Sequence, residues 1–229
     1  MKLYNVKIWM LILIWAFMAL NCKQSREPVK ERTSRTEVLP YYNEASFSPH
    51  WFSKNSDSIN ALHRIPRFRL INQLGDTITE ETFADKIYVV DFFFTSCPGI
   101  CPKMTSNMAL IQEAFKKDNG VLLLSHSVTP EIDSVPILRN YGEDKGVQPN
   151  KWHLATGERK QIYDLGRYAY FVEEDLGITK DENDFLHTEN FILIDKSKHI
   201  RGIYNGLNKT AISQLIADIK TLQKETTLK

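Results

Sequence analysis

Cys97 and Cys101 stand in the run Asp91-Phe-Phe-Phe-Thr-Ser-Cys97-Pro-Gly-Ile-Cys101-Pro, where an apolar stretch gives way to a segment restricted by two prolines. Thiolates attack disulfides and bind soft metal ions, and thiols do neither well. What the pair can do therefore depends on where the chain puts it. Residues 87–94 are β-branched and aromatic and read as a buried strand. Pro98 and Pro102 suit only the first helical positions, which places both thiols near a helix N-terminus. There the macrodipole and free backbone amides favour the thiolate. Four residues of helix rise roughly 6 Å and return to one face, a separation that suits a disulfide or two ligands on one ion.

The elements that must position this pair follow from the hydrophobic pattern. Residues 68–72 and 77–79 flank Gly75-Asp76 and predict a hairpin ahead of the strand at 87–94. A helix is expected over 103–117, a second buried strand over 121–125, a helix over 134–141, a short strand over 151–154 and a helix over 158–170. Strands at 190–195 and 199–204, with a turn at 196–198 between them, precede an amphipathic helix over 209–223. This alternation, with a thiol pair after the first central strand, predicts an α/β thioredoxin-like sandwich with an N-terminal hairpin and one inserted strand-helix unit.

Two thiolates select copper, as Cu(I) or as Cu(II) in a tetragonal setting, or zinc where further ligands arrive. Six histidines compete for the third place: His50, His63, His126, His153, His187 and His199. His50 and His63 lie in or beside a polar stretch and His199 follows a turn, which points to solvent exposure. His153, between Trp152 and Leu154, reads as a histidine at the sheet margin. His126 follows the strand at 121–125, and His187 precedes the strand at 190–195; both are carried to the sheet edge that holds Cys97. Met104 and Met108 share the helical face of Cys101 and read as core, since methionine fills irregular gaps.

The 229 residues carry 29 Lys and Arg against 28 Asp and Glu, a net charge of +1, scattered without a basic stripe, so no nucleic-acid partner is expected. At the start, Lys2 and Lys7 precede the apolar stretch 8–20, which is shorter than the roughly 20 residues that span a bilayer and has the pattern of a signal peptide over 1–21. Cys22, directly after it, resembles the lipidated cysteine of the bacterial lipobox, although Asn21 departs from the small residue usual before it. Residues 22–61 are polar and read as a flexible tether, with Tyr41, Tyr42, Phe47, Trp51 and Phe52 able to dock on a domain spanning 62–229. These features predict a protein of the cell envelope, held to a membrane by an N-terminal lipid with its domain in the periplasm. In that oxidising compartment the thiol pair must cycle redox partners, be kept reduced or hold a metal.

Taken together, Phe92-Phe-Phe-Thr-Ser-Cys97-Pro-Gly-Ile-Cys101-Pro, Ser127-Val-Thr-Pro-Glu-Ile-Asp133, Trp152 with Ala155-Thr-Gly157, and Leu186-His187-Thr with Phe191-Ile-Leu-Ile-Asp195 resemble the Sco/SenC family over residues 62–222. The resemblance implies a membrane-tethered, thioredoxin-like copper chaperone for the dinuclear copper centre of cytochrome c oxidase. Its partners would be the copper-binding oxidase subunit or another copper carrier. It also implies Cys97, Cys101 and His187 as the copper ligands. Gly99 and Thr129 stand where family members usually carry acidic residues. A different class of function uses the same pair: a thiol–disulfide oxidoreductase, with Cys97 attacking and Cys101 resolving, would keep client cysteines reduced for metallation.

Overall fold

In the computed structural model, which describes residues 33–53, 56–173 and 184–227, the apolar run after Lys86 forms the strand that carries the site. Seven strands build one sheet in the order β2-β1-β5-β4-β3-β6-β7. They are β1 (Arg69–Asn72), β2 (Thr77–Thr79), β3 (Ile87–Phe93), β4 (Val121–Ser127), β5 (Trp152–Thr156), β6 (Asn190–Ile194) and β7 (Ile200–Asn205). The helices are α1 (Cys101–Ala114), α2 (Val135–Lys145), α3 (Arg159–Asp164), which runs on into a π-turn at Leu165–Ala169, and α4 (Lys209–Thr227). Strand β3 is parallel to β4 and antiparallel to β6, and β4 is parallel to β5. The β1–β2 hairpin joins β5 antiparallel at one side, and the β6–β7 hairpin closes the other. This is the thioredoxin-like sandwich with its hairpin and inserted unit.

All seven residues of both β3 and β4 are buried, as strands covered on both faces require. Successive side chains alternate between faces. Tyr88, Val90 and Phe92 of β3 enter one core with Leu122 and Leu124 of β4, beneath Ile162, Leu165 and Tyr170. Ile87, Val89 and Phe93 enter the other core with Val121 and Leu123, beneath α1 and α4. Met104 and Met108 are fully buried in this second core, as expected.

One compact unit spans Arg32–Lys229. Tyr42 pairs with Ile200 at the outer side of β7, and Arg201 donates to the carbonyls of Pro40 at 3.0 Å and Leu39 at 2.7 Å. The domain thus takes up chain upstream of Leu62, and the docking foreseen for the tether aromatics is made by Tyr42 on β7 and by Tyr41 beneath the Arg201 guanidinium. The proposed signal segment and Cys22 lie outside the described residues.

His126 lies inside β4 rather than beyond its end, because the strand runs on to Ser127. Its even position turns it into the first core, where it stacks on Phe92 with ring centroids 4.6 Å apart and meets Tyr170 at 5.4 Å. Neither ring nitrogen has a hydrogen-bond partner among the described residues. Burial drives its pKa down to about 3, and the nearby Asp91 carbonyl resists this without reaching hydrogen-bond geometry. A neutral histidine in the folded state against an ordinary one at 6.5 in the unfolded chain gives stability that is fully present above pH 6.5 and lost as pH falls toward 3. Chemical denaturation at pH 6.5 and 4.5 should show His126→Leu losing roughly 2 kcal/mol less than the parent over that interval. Equal losses in both proteins would show that His126 does not titrate on unfolding.

Candidate metal centre

Strand β3 ends at Phe93, and the chain then turns through residues 94–100 into α1, which begins at Cys101 with Pro102 in its first turn. The helix starts two residues earlier than the sequence pattern suggests, because Pro102 needs no amide partner there. Cys101 is thereby the first helical residue. It is buried against the second core, while Cys97 in the turn is half-exposed.

The two thiols are close enough to shift each other's ionisation, and their environments split them. Burial opposes ionisation of Cys97, but hydrogen bonds from the Cys101 thiol and from the backbone N–H groups of Cys101, Gly99 and Ile100 outweigh it, so its pKa falls below the ordinary thiol value. For Cys101, burial raises the pKa strongly, and the bond to Cys97 raises it further. Proximity to a helix N-terminus alone predicts activation of both thiols. The free amides at the helix start serve only Cys97, and Cys101 is already inside.

Asp91 sits deeper along β3 on the same face of the sheet. It is fully buried, accepts a hydrogen bond from Ser125 Oγ, and Ser125 in turn accepts one from Trp152 Nε1 at 2.8 Å. Burial lifts its carboxyl to about 7 against the help of that hydroxyl, and its charge adds to the upward pressure on Cys101. Tyr141 of α2 packs on Phe93 at 5.4 Å and shares a 2.7 Å hydrogen bond with Thr105. Burial pushes its phenol up to about 12, leaving a neutral hydroxyl close enough to feel the charge of both cysteines.

His187 is exposed, three residues before β6. Because Val90 of β3 pairs with Ile192 of β6 antiparallel, the chain entering β6 lies at the sheet end where β3 leaves it, the end that carries Cys97. Phe185 touches Phe94 edge-on at 5.5 Å, which joins the two segments directly. A second link runs from α1: Asn107 Nδ2 donates to the Gly206 carbonyl at 2.6 Å, and Gly206 N donates to the Glu189 carbonyl at 2.6 Å. A Cβ on Gly206 would stand 2.7 Å from the Phe191 ring and 2.8 Å from that carbonyl, so only glycine permits the approach. The structure brings Cys97 and Cys101 together and sets His187 at their end of the sheet. Among the described residues, no three His, Cys, Asp or Glu side chains gather tightly enough to hold a metal ion. His126 is on the opposite face of the sheet from α1 and is removed from the contest. Two soft donors, one of them more easily ionised than an ordinary thiol and reachable from solvent, fit copper as a cargo that enters and leaves.

Residues 56–224 match the SCO1/SenC family. The chain belongs to that family. A SCO1/SenC family lipoprotein from Bacillus anthracis str. Ames is 29% identical, with a TM-score of 0.62 over 70% of this chain and 95% of the other. BsSco, a member of the Sco family of cytochrome c oxidase assembly proteins in which a disulfide switch was identified, is 27% identical, with a TM-score of 0.60 over 73% and 95% of the two chains. Bradyrhizobium japonicum ScoI, solved with copper bound, shares the fold at 24% identity, with a TM-score of 0.55 over 69% and 99%.

Asp91, Tyr141, Thr95 and Asp133 stand outside the expectations drawn from the sequence. A single acid inside an otherwise apolar strand was the available signal for Asp91. Hydroxyls at Thr95 and Ser127, just beyond and at the ends of adjacent parallel strands, were the signal for Asp133.

Proposed function

We propose that this SCO1/SenC protein is an envelope-tethered copper chaperone that holds one copper ion through Cys97, Cys101 and His187 and passes it to the copper-binding subunit of cytochrome c oxidase or to another carrier. The thiol pair carries this reading: Cys97 is half-exposed and ionises more easily than an ordinary thiol, and its partner sulfur is fixed in the first turn of α1. Copper bound to a solvent-facing thiolate keeps a side open to an incoming donor, so a partner's ligand can enter before this protein's ligands leave. The exposed His187 is available to close the site from the β6 side. The copper-bound Bradyrhizobium relative and the oxidase-assembly role of BsSco support the cargo and the client.

Tethering is part of the same proposal. Cys22 would be lipidated after cleavage of the segment 1–21, leaving the domain in the periplasm, as the Bacillus anthracis lipoprotein supports. Cys22→Ser should shift the protein out of the membrane fraction or leave it with an uncleaved leader. Mass spectrometry that finds an unmodified mature N-terminus at another residue removes the anchor from the proposal.

The split between the thiols favours a second reading, disulfide reduction. The Cys97 thiolate would attack one sulfur of a client disulfide, and the Cys101 thiol would then lose its proton and displace the client from Cys97. Two electrons would pass to the client and a Cys97–Cys101 disulfide would remain. One experiment separates the two readings: titrating the reduced protein with Cu(I) and measuring copper transfer to an oxidase copper-domain whose own thiols are already reduced. Stoichiometric binding and transfer uphold the chaperone. Failure to transfer, with efficient reduction of the oxidised domain, upholds the reductase.

A further inference from the structure

Asp133 is buried completely and belongs to no core cluster. Its carboxylate receives four hydrogen bonds, all from uncharged donors: Thr95 Oγ1 on Oδ1 at 2.5 Å, and Thr95 N at 3.2 Å, Ser127 Oγ at 2.5 Å and Thr129 Oγ1 at 3.1 Å on Oδ2. Burying a carboxylate without a cation is costly, and a full set of donors is what makes it tolerable.

We propose that Asp133 is a positioning residue for Cys97: by gripping Thr95 through both carboxylate oxygens it fixes where the thiol-bearing turn leaves β3, and so holds the Cys97 sulfur beside that of Cys101. The sheet does not need Asp133 for its own cohesion there. Phe93 already faces Ser127 in register, and Val128 N donates to the Phe93 carbonyl at 2.9 Å. Beyond that bond the ladder stops. Thr95 is the first residue past Phe94, two before Cys97, and two of the four bonds go to it. Cys101 is held independently by its burial in α1. The separation of the sulfurs therefore depends on the segment that Asp133 anchors, and preorganisation of this kind is what a disulfide and a two-thiolate metal site both require.

The test uses the full chain, purified reduced in detergent, with four variants. Thr95→Val keeps the shape and removes the hydroxyl donor, Thr95→Ser keeps the donor, Asp133→Asn keeps the volume and removes one oxygen acceptor, and Ser127→Ala removes an equally short bond to the same carboxylate from within β4. Two quantities are read: the equilibrium constant of the Cys97–Cys101 disulfide against dithiothreitol, and the release rate of Cu(I) to a chelator. Thr95→Val and Asp133→Asn should each make the disulfide about tenfold easier to reduce, a shift of about 30 mV. Both should also release copper at least about tenfold faster, within the range of outer-shell substitutions. Thr95→Ser should restore both quantities, and Ser127→Ala should lower the unfolding midpoint while leaving both within about twofold. The proposal is overturned if Thr95→Val leaves the disulfide constant unchanged, or if Ser127→Ala moves it as far as Thr95→Val does. Only the copper arm rests on the chaperone reading: should the parent protein hold no copper, that reading fails and the disulfide constant still decides the role of Asp133.

Discussion

Serine in place of Cys97 or Cys101 is expected to strip the reduced protein of copper, with apparent affinity falling by more than about 100-fold, beyond the range seen when only an outer-shell partner of a ligand is lost. A hydroxyl is a hard, weakly acidic donor and cannot replace a soft thiolate on Cu(I). The two variants should nevertheless differ, because the sulfur left behind differs. Cys101→Ser leaves the half-exposed Cys97 with the N–H groups of Gly99, Ile100 and residue 101 around it, whereas Cys97→Ser leaves a thiol that burial keeps protonated. Iodoacetamide at neutral pH should therefore alkylate Cys101→Ser at least about tenfold faster than Cys97→Ser, since the thiolate is the nucleophile. Stoichiometric copper in the double serine variant would sink the site. Equal alkylation rates would mean that the helix start does not discriminate between the sulfurs.

Most of the scaffold was legible because its signals are local. A run of β-branched and aromatic residues such as 87–94, apolar but for Asp91, can satisfy its backbone and bury both faces only inside a sheet, and a Gly-Asp turn between two short runs closes a hairpin. Boundaries moved where a tertiary partner extended an element: β4 runs two residues past the expected end because Phe92 and Phe93 of β3 are there to pair with His126 and Ser127. That shift decided the fate of His126. Two further strand residues placed it inside the alternation, on the face away from α1, where a polar ring without a hydrogen-bond partner among the described residues stands among Phe68, Phe92 and Tyr170. The thiol pair itself was legible as a pair, but the division of labour within it was not. It arises from which sulfur receives the free amides at the start of α1 and which one meets the core, distances of a few ångströms that no spacing rule encodes. For Asp133 the sequence offered only the hydroxyls at the two strand ends, since its role exists only once Thr95, Ser127 and Thr129 converge on it.

His187→Ala should lose copper to a chelator that the parent protein resists, while the Cys97–Cys101 disulfide forms and is reduced almost as before. The thiol pair and the imidazole have separate supports. The sulfurs are brought together by the turn 94–100, by α1 and by the Asp133 grip on Thr95, none of which includes His187. The imidazole stands exposed at the chain entering β6, a segment tied to the thiol side by the β3–β6 pairing, by Phe185 on Phe94 and by the Asn107–Gly206–Glu189 bonds. Removing an exposed side chain there leaves those ties in place, so thermal stability should stay within about 0.5 kcal/mol of the parent. His126→Ala makes the reciprocal case: copper should be retained, and stability should fall, because a ring packed on Phe92 is replaced by a cavity. Copper retention should thus follow residue 187 and folding stability residue 126. A reversed outcome for the metal, retention by His187→Ala and loss by His126→Ala, would require His126 to leave the far face of the sheet and would overturn the ligand set. If oxidase assembly in cells survives His187→Ala but not Cys97→Ser, the thiols suffice without the third ligand, and disulfide reduction replaces copper delivery as the function of the pair.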